Sequence, residues 1–174
     1  RGLGYDALVS SSYARNPVRM KEEVWSIVNR RIQEGDYRTP LDVIRCCGDP
    51  MIAIAAGIAA TYRGSIILGG GTQMLSVAAV LKGMNLPAPG IATTCYVRDD
   101  SSANFAEIAG MIGTPVYYVD PGFGELGHSG LARYCIGEVK EGMGAGGAMF
   151  LAWLMGHSPD AIRKKILHTV HGYA

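Results

Sequence analysis

Between Ser65 and Ile136 the sequence runs three times from a short apolar segment through a polar or glycine-rich turn into a helix-forming segment. Ser65 to Leu68 leads through Gly69-Gly70-Gly71 to Thr72–Leu81, and Ile91 to Val97 leads through Arg98-Asp99-Asp100 to Ala103–Met111. Pro115 to Val119 then leads through Asp120-Pro121-Gly122 to Ser129–Ile136. A strand that returns parallel to its predecessor needs a crossover of this length, normally a helix. The pattern therefore predicts an α/β fold, three-layered, with a mostly parallel sheet and Rossmann-like βαβ units. Right-handed crossovers place the three turns together at the carboxyl ends of the strands.

The flanking segments read as helices with their own punctuation. Tyr5 to Ser10 is a further candidate strand, followed by Asn16 and Pro17 as cap and first turn of a helix whose stripe is Val24, Ile27, Val28 and Ile32. Thr39-Pro40 and Asp49-Pro50 repeat that signature and predict helices over 41–47 and 51–62. The second is apolar nearly all round and rich in alanine, which predicts a central position. An apolar helix is expected over 145–155, and a last one after Ser158-Pro159, with Arg163, Lys164 and Lys165 forming a solvated basic face.

Composition removes several function classes. At 174 residues the chain has room for one domain, 1–174. Its 16 Lys and Arg against 15 Asp and Glu give a net charge of +1, no electrostatic footprint for nucleic acid. The apolar run 142–156 has 15 residues, short of the roughly 20 that cross a bilayer. With no leader pattern at its start, the cytoplasm is the expected compartment. The chain opens on Arg1, not Met, and an amino-terminal portion is expected to precede it. Cys46, Cys47, Cys95 and Cys135 have no metal-ribbon spacing and are expected to be reduced and mostly buried. His168 and His171 share a helix face with no third ligand, so a surface role is expected and no metal or cofactor is implied.

Glycine is the distinctive residue, 24 of 174 or about 14%, twice the usual share. Gly69-Gly70-Gly71-Thr72 stands between a predicted strand and helix, where backbone N–H groups and the helix amino end can receive an anion. A tight turn that binds nothing is the alternative. Gly142, Gly144 and Gly147 spell G-x-G-x-x-G, but the charged residues 137–141 make a poor first strand, and no acidic residue follows at dinucleotide-site spacing. What remains is Glu141 before a flexible turn and an apolar helix. A carboxylate beside apolar walls gains basicity, so Glu141 is either a general base or a solvated loop residue. The loop Asp120 to His128 gathers an acid, an imidazole and free amides after a strand; Asp120 and His128 serve either a ligand or merely their own turn and helix.

Four blocks in order, CCGDPMIAIAAGIAA (46–60), GSIILGGGTQMLSVAAVLKG (64–83), YVDPGFGELGHSGL (118–131) and KEGMGAGGAMFLA (140–152), resemble the nicotinate-nucleotide:dimethylbenzimidazole phosphoribosyltransferase family. The likeness is to its divergent archaeal and cyanobacterial branch and to the carboxyl-terminal half of a chain about twice as long. It implies a cytoplasmic pentosyltransferase of cobalamin biosynthesis without a cofactor. The 5-phosphoribosyl group of nicotinate mononucleotide would pass to a benzimidazole-type base, giving the α-ribosyl phosphate of a cobamide lower ligand.

The resemblance implies Glu141 as catalytic base, in an E-G-x-G-A turn with Gly142 and Gly144. It implies substrate contacts at Gly48, Asp49, Glu125 and His128, which join Gly70, Gly71, Thr72, Asp120 and Gly122 around the ribosyl phosphate and the base. Met143, Met149 and Phe150 would line the base pocket. Nicotinate mononucleotide and an aromatic base are then the small-molecule partners, without nucleic acid or membrane, and a homodimer or association with a missing amino-terminal segment is expected. Two other classes stay open: a non-catalytic nucleotide- or phosphate-binding domain, and a structural half whose apolar helices need a partner.

Overall fold

The computed structural model describes residues 18–101, 103–138 and 142–173. Among them nine α-helices accompany one sheet of three parallel strands. The order is α1 (Val18–Glu34), α2 (Pro40–Cys47), α3 (Pro50–Thr61), β1 (Ile67–Gly69), α4 (Thr72–Gly83), β2 (Gly90–Thr94), α5 (Cys95–Arg98) and α6 (Phe105–Ile112). Then come β3 (Val116–Val119), a 3-10 turn (Phe123–Glu125), α7 (Ser129–Ala132), a π-helical segment (Gly142–Ala148), α8 (Met149–Leu154) and α9 (Pro159–His171). The candidate strand Tyr5–Ser10 and the Asn16-Pro17 cap lie outside the described residues.

The cap-and-proline signatures have the expected consequences. Thr39 forms a capping box with Asp42, accepting from the Asp42 amide at 3.2 Å while the Thr39 amide donates to the Asp42 carboxylate at 3.0 Å. Asp49 accepts from the Met51 amide at 2.8 Å, and Ser158 from the Ala161 amide at 3.3 Å. Each cap satisfies amides that a helix start leaves without partners.

The strands lie in the order β1-β2-β3, with Leu68 beside Ile91 and Thr93 beside Tyr118. Alternation divides the sheet into two faces. Leu68, Ile91, Val116 and Tyr118 join a core closed by Leu75, Ala78 and Leu81 of α4 and by Phe105, Ile108 and Ile112 of α6. On the other face Tyr117 stacks against Phe150 of α8, and the π-helical segment crosses β1 and β2. Helices thus cover both faces, as a parallel sheet requires.

Three expectations need correction. The strand expected over 91–97 stops at Thr94, because the Thr94 hydroxyl accepts from the Val97 amide at 3.4 Å and turns Cys95–Arg98 into a short helix. The helix expected to be central, α3, buries only Ala56 against its neighbours, leaving Ile54 64% and Ile58 60% exposed. Its alanines let it approach α4, but among the described residues nothing covers its other side. The cysteines are free but not buried: Cys46 and Cys135 are exposed, Cys47 and Cys95 half-buried.

No helix among the described residues is long and apolar enough to cross a membrane. No group of three or more metal-ligating side chains occurs among them.

Candidate functional site

The carboxyl ends of the three strands deliver Gly69, Thr94 and Val119 to one edge, and the glycine-rich segments meet there. Glycine is required at this edge because backbones approach closely. A Cβ on Gly142 would stand 2.6 Å from the carbonyl carbon of Gly70 and 2.7 Å from the Gly71 nitrogen. One on Gly146 would stand 2.5 Å from the Thr93 Cα, and one on Gly147 2.7 Å from the Gly69 Cα. Gly142, Gly146 and Gly147 therefore seat the π-helical segment on the ends of β1 and β2. The two glycine clusters, 69–71 and 142–147, form one joint.

This joint changes the reading of the anion cradle. The Gly70 amide donates to the Ala92 carbonyl at 3.1 Å, extending the ladder, and so is not offered to a ligand. Gly71 is the N-cap of α4 and makes no side-chain cap bond, with Thr72 as the first helical residue. Of the expected substrate residues, Gly70, Gly71, Thr72 and Gly142 come together here, and Gly144 lies exposed in the same π-helical segment. Glu141, the expected base, lies outside the described residues, as does the side chain of Met143.

Asp120 and His128 both serve their own backbone. Asp120 accepts from the Gly122 amide at 2.9 Å and from the Cys95 thiol at 3.5 Å, which ties the end of β3 to α5. Gly122 follows with φ +62°, a conformation glycine adopts without penalty. His128 Nδ1 accepts from the Leu131 amide at 3.3 Å as the N-cap of α7. Its ring lies 5.7 Å from that of His171, which is exposed at the end of α9. Glu125 closes the 3-10 turn and is exposed.

The loop is held by a second small core. Phe123, 4% exposed, packs with Leu131 and Ala145, and its ring centroid is 4.8 Å from that of Tyr134. The Tyr96 hydroxyl accepts from the Phe123 amide at 3.2 Å. Burial raises the Tyr96 hydroxyl well above its ordinary pKa, with the Cys135 contact adding to the effect. Burial also pushes the Cys95 thiol up to about 11, with the Asp120 carboxylate as the next cause, so Cys95 is a neutral thiol at physiological pH.

Gly48 and Asp49 belong to a different joint. Gly48 is the C-cap of α2, where a Cβ would meet the Ile44 backbone at 2.7 Å, and Asp49 caps α3. Their described contacts are local to α2 and α3.

Sequence reasoning missed Arg163 and Thr93. The basic face expected over 163–165 breaks up, since Lys164 and Lys165 are exposed while the Arg163 side chain is only 25% exposed. Arg163 donates from Nε to the Pro121 carbonyl at 3.0 Å and from Nη2 to the Asp120 carbonyl at 3.2 Å, fastening α9 to the loop. Its spacing with Ile166 and Val170, both packed on the second core, was the available signal. Thr93 Oγ1 is fully buried and has no hydrogen-bond partner among the described residues. No pattern in the sequence marks it.

No protein-family model matches the chain. It is 42% identical over 180 residues to the UPF0284 protein of Methanosarcina mazei, covering 94% of this chain and 50% of that one. With the UPF0284 protein of Thermococcus gammatolerans it shares 45% over 169 residues, covering 94% and 51%. With that of Methanothermobacter thermautotrophicus it shares 42% over 174 residues, covering 94% and 48%. The chain spans about half the length of the curated relatives it matches. Over nearly the whole of its own length, then, it is similar to one half of a UPF0284 protein.

Proposed function

We propose that this chain is part of a phosphoribosyltransferase that moves the 5-phosphoribosyl group of nicotinate mononucleotide to a benzimidazole-type base. The observation that carries the proposal is the seat of Gly142 on the Gly70–Gly71 peptide. It joins the turn that follows Glu141 in sequence to the uncapped amino end of α4, the two features that a base and a phosphate anchor need. The Rossmann-like reading of the strand–turn–helix units belongs to the same proposal.

The chemistry asks little of the protein. The bond from ribose C1′ to the pyridinium nitrogen breaks with its electron pair going to that nitrogen, so the cationic ring leaves neutral. A bond from C1′ to the unprotonated imidazole nitrogen forms with that nitrogen's lone pair, and the proton on the other ring nitrogen passes to the Glu141 carboxylate. Orientation and one correctly placed base suffice, with no cofactor.

The test is nicotinate release from nicotinate mononucleotide, followed with this chain and with the full-length Methanosarcina mazei relative. Release that requires an added benzimidazole, and that falls by about a hundredfold or more in Glu141→Gln, is the expected result. No release by the full-length relative with any benzimidazole, purine or phenol overturns the proposal.

A second reading rests on the uncovered side of α3, where Ile54 and Ile58 stand in water. It makes the chain a structural half that associates with another copy or with the remainder of a longer protein.

A further inference from the structure

Cys46 and Cys47 are the last two residues of α2, and the site described above makes no use of them. Both are free thiols, Cys46 exposed and Cys47 half-buried, on a helix that contains no buried residue. We propose that this pair binds one soft monovalent cation of the copper(I) class, held between the two sulfurs. The inference stands apart from the transferase reading.

The helix sets the geometry. The Gly48 amide donates to the Ile44 carbonyl at 2.8 Å, so helical winding persists through Cys47, and the chain then leaves extended at Gly48 with ψ 158°. Consecutive Cα atoms stand about 3.8 Å apart, and α-helical winding turns neighbouring side chains about 100° from one another. A disulfide asks for sulfurs about 2.05 Å apart, which such a splay opposes. An ion bonded in line by two thiolates asks for the reverse. Its sulfurs stand on opposite sides, roughly 4–5 Å apart for metal–sulfur bonds of about 2.3 Å.

The donor set selects the ion. Among the described residues no group of three or more metal-ligating side chains occurs, so nothing there completes the four ligands of a structural zinc site. Hard cations prefer oxygen, whereas a soft monovalent ion is satisfied by two thiolates. On binding, each thiol releases its proton to water and each sulfur gives an electron pair to the ion, leaving a complex with one negative charge. The carboxyl end of a helix opposes that charge. Arg45, loosely paired with Asp42 at 3.9 Å, and Arg31, whose charge acts on the neighbouring Tyr37, offset it. The Tyr37 hydroxyl is in hydrogen-bond contact with Cys46, the largest cause of a phenol pKa raised above its ordinary value. It thus keeps a proton to donate to the bound sulfur, the kind of outer contact that steadies a metal ligand.

The experiment is anaerobic titration of the whole reduced chain with copper(I) bicinchoninate, reading the copper that the protein takes from the coloured complex. One copper(I) per chain is expected, with copper X-ray absorption showing two sulfur neighbours. Cys46→Ser and Cys47→Ser are each expected to weaken retention by about a hundredfold or more, the scale gained by tethering a second donor beside the first. Cys135→Ser is expected to leave it unchanged. Because α2 buries none of its residues, both variants of the pair keep the fold, which far-ultraviolet circular dichroism checks. No copper retained, undiminished retention in Cys46→Ser or Cys47→Ser, loss in Cys135→Ser, or one copper shared between two chains each overturns the inference.

Discussion

Gly142 lies against Gly70 so closely that a methyl group on Gly142 would sit 2.6 Å from the Gly70 carbonyl carbon. Both neighbours are main chain, so neither can swing aside. Gly142→Ala and Gly146→Ala are each expected to cost about 1–3 kcal/mol through overpacking. Gly57→Ala in α3, where an added Cβ meets no neighbouring atom within 4 Å, is expected to stabilise by about 0.5–1 kcal/mol. Thermal unfolding of the three variants checks the contrast, and equal melting temperatures would dissolve the backbone joint.

Thr93 hides a hydroxyl with no described partner, and leaving such a group unsatisfied costs about 1–3 kcal/mol. Thr93→Val keeps the shape and removes the orphan. A gain of about 1 kcal/mol is expected, which for this size raises the melting temperature by roughly 2–4 °C. Denaturant unfolding of the two proteins measures it directly.

What could be read from the sequence was what is local. A cap followed by proline acts through bonds that span three residues, so the helix starts at Pro40, Pro50 and Pro159 were all legible. So was the strand–turn–helix alternation, since each crossover is a contiguous piece of chain, although the helix expected over 129–136 stops at Ala132 and gives way to turns. The end of β2 was not, because Cys95-Tyr96-Val97 is as suited to a strand as to a helix and one hydroxyl at Thr94 decides between them. The partner of the glycine cluster at 142–147 was equally hidden. Glycine says that something comes close, and only the fold says that it is the Gly69–Gly71 turn. Cysteine's usual preference for the interior pointed the wrong way for Cys46 of α2 and for Cys135 in the turn after α7, both of which are exposed. Within the site, the place of Gly70, Gly71 and Thr72 at a strand end was foreseeable, whereas the seat of Gly142 beside them, and the choice of capping over ligand binding for Asp120 and His128, depended on the fold.

Cys95 gives the clearest pH signature. Its folded-state value of about 11 lies above the ordinary thiol value of 9.0, so the folded protein holds this proton longer than the unfolded chain. The associated stability is fully present below pH 9 and is lost as pH rises towards 11. Alkylation at pH 8 should modify the exposed Cys46 and Cys135 first and Cys95 last. Asp120→Asn, which removes the neighbouring negative charge, should quicken the labelling of Cys95. Peptide mass mapping over time reads the order, and unchanged Cys95 kinetics in the variant would remove Asp120 from the account.

The bare side of α3 makes a prediction about association. Ile54→Glu with Ile58→Glu alters two side chains that are 64% and 60% exposed, so the monomer's own stability should change by no more than about 0.5 kcal/mol for each. If this face joins copies, sedimentation will show a concentration-dependent mass for the unaltered chain and a monomer for the double variant. Identical sedimentation of the two proteins would free α3 from that role.

The π-helical segment at 142–148 has a mechanical consequence. A π turn contains an additional residue relative to an α turn, so the segment stores chain length between α8 and whatever precedes Gly142. Returning one residue to α-helical winding moves the upstream chain by about 1.5 Å along the helix axis and by about 100° around it. Gly142, Gly146 and Gly147 lie against the main chain of β1, β2 and the turn after β1, so such rewinding would have to break those close approaches. The joint at the sheet edge thus acts as a lock on winding, holding the additional residue in place and with it the register between the sheet and the aromatic residues of α8.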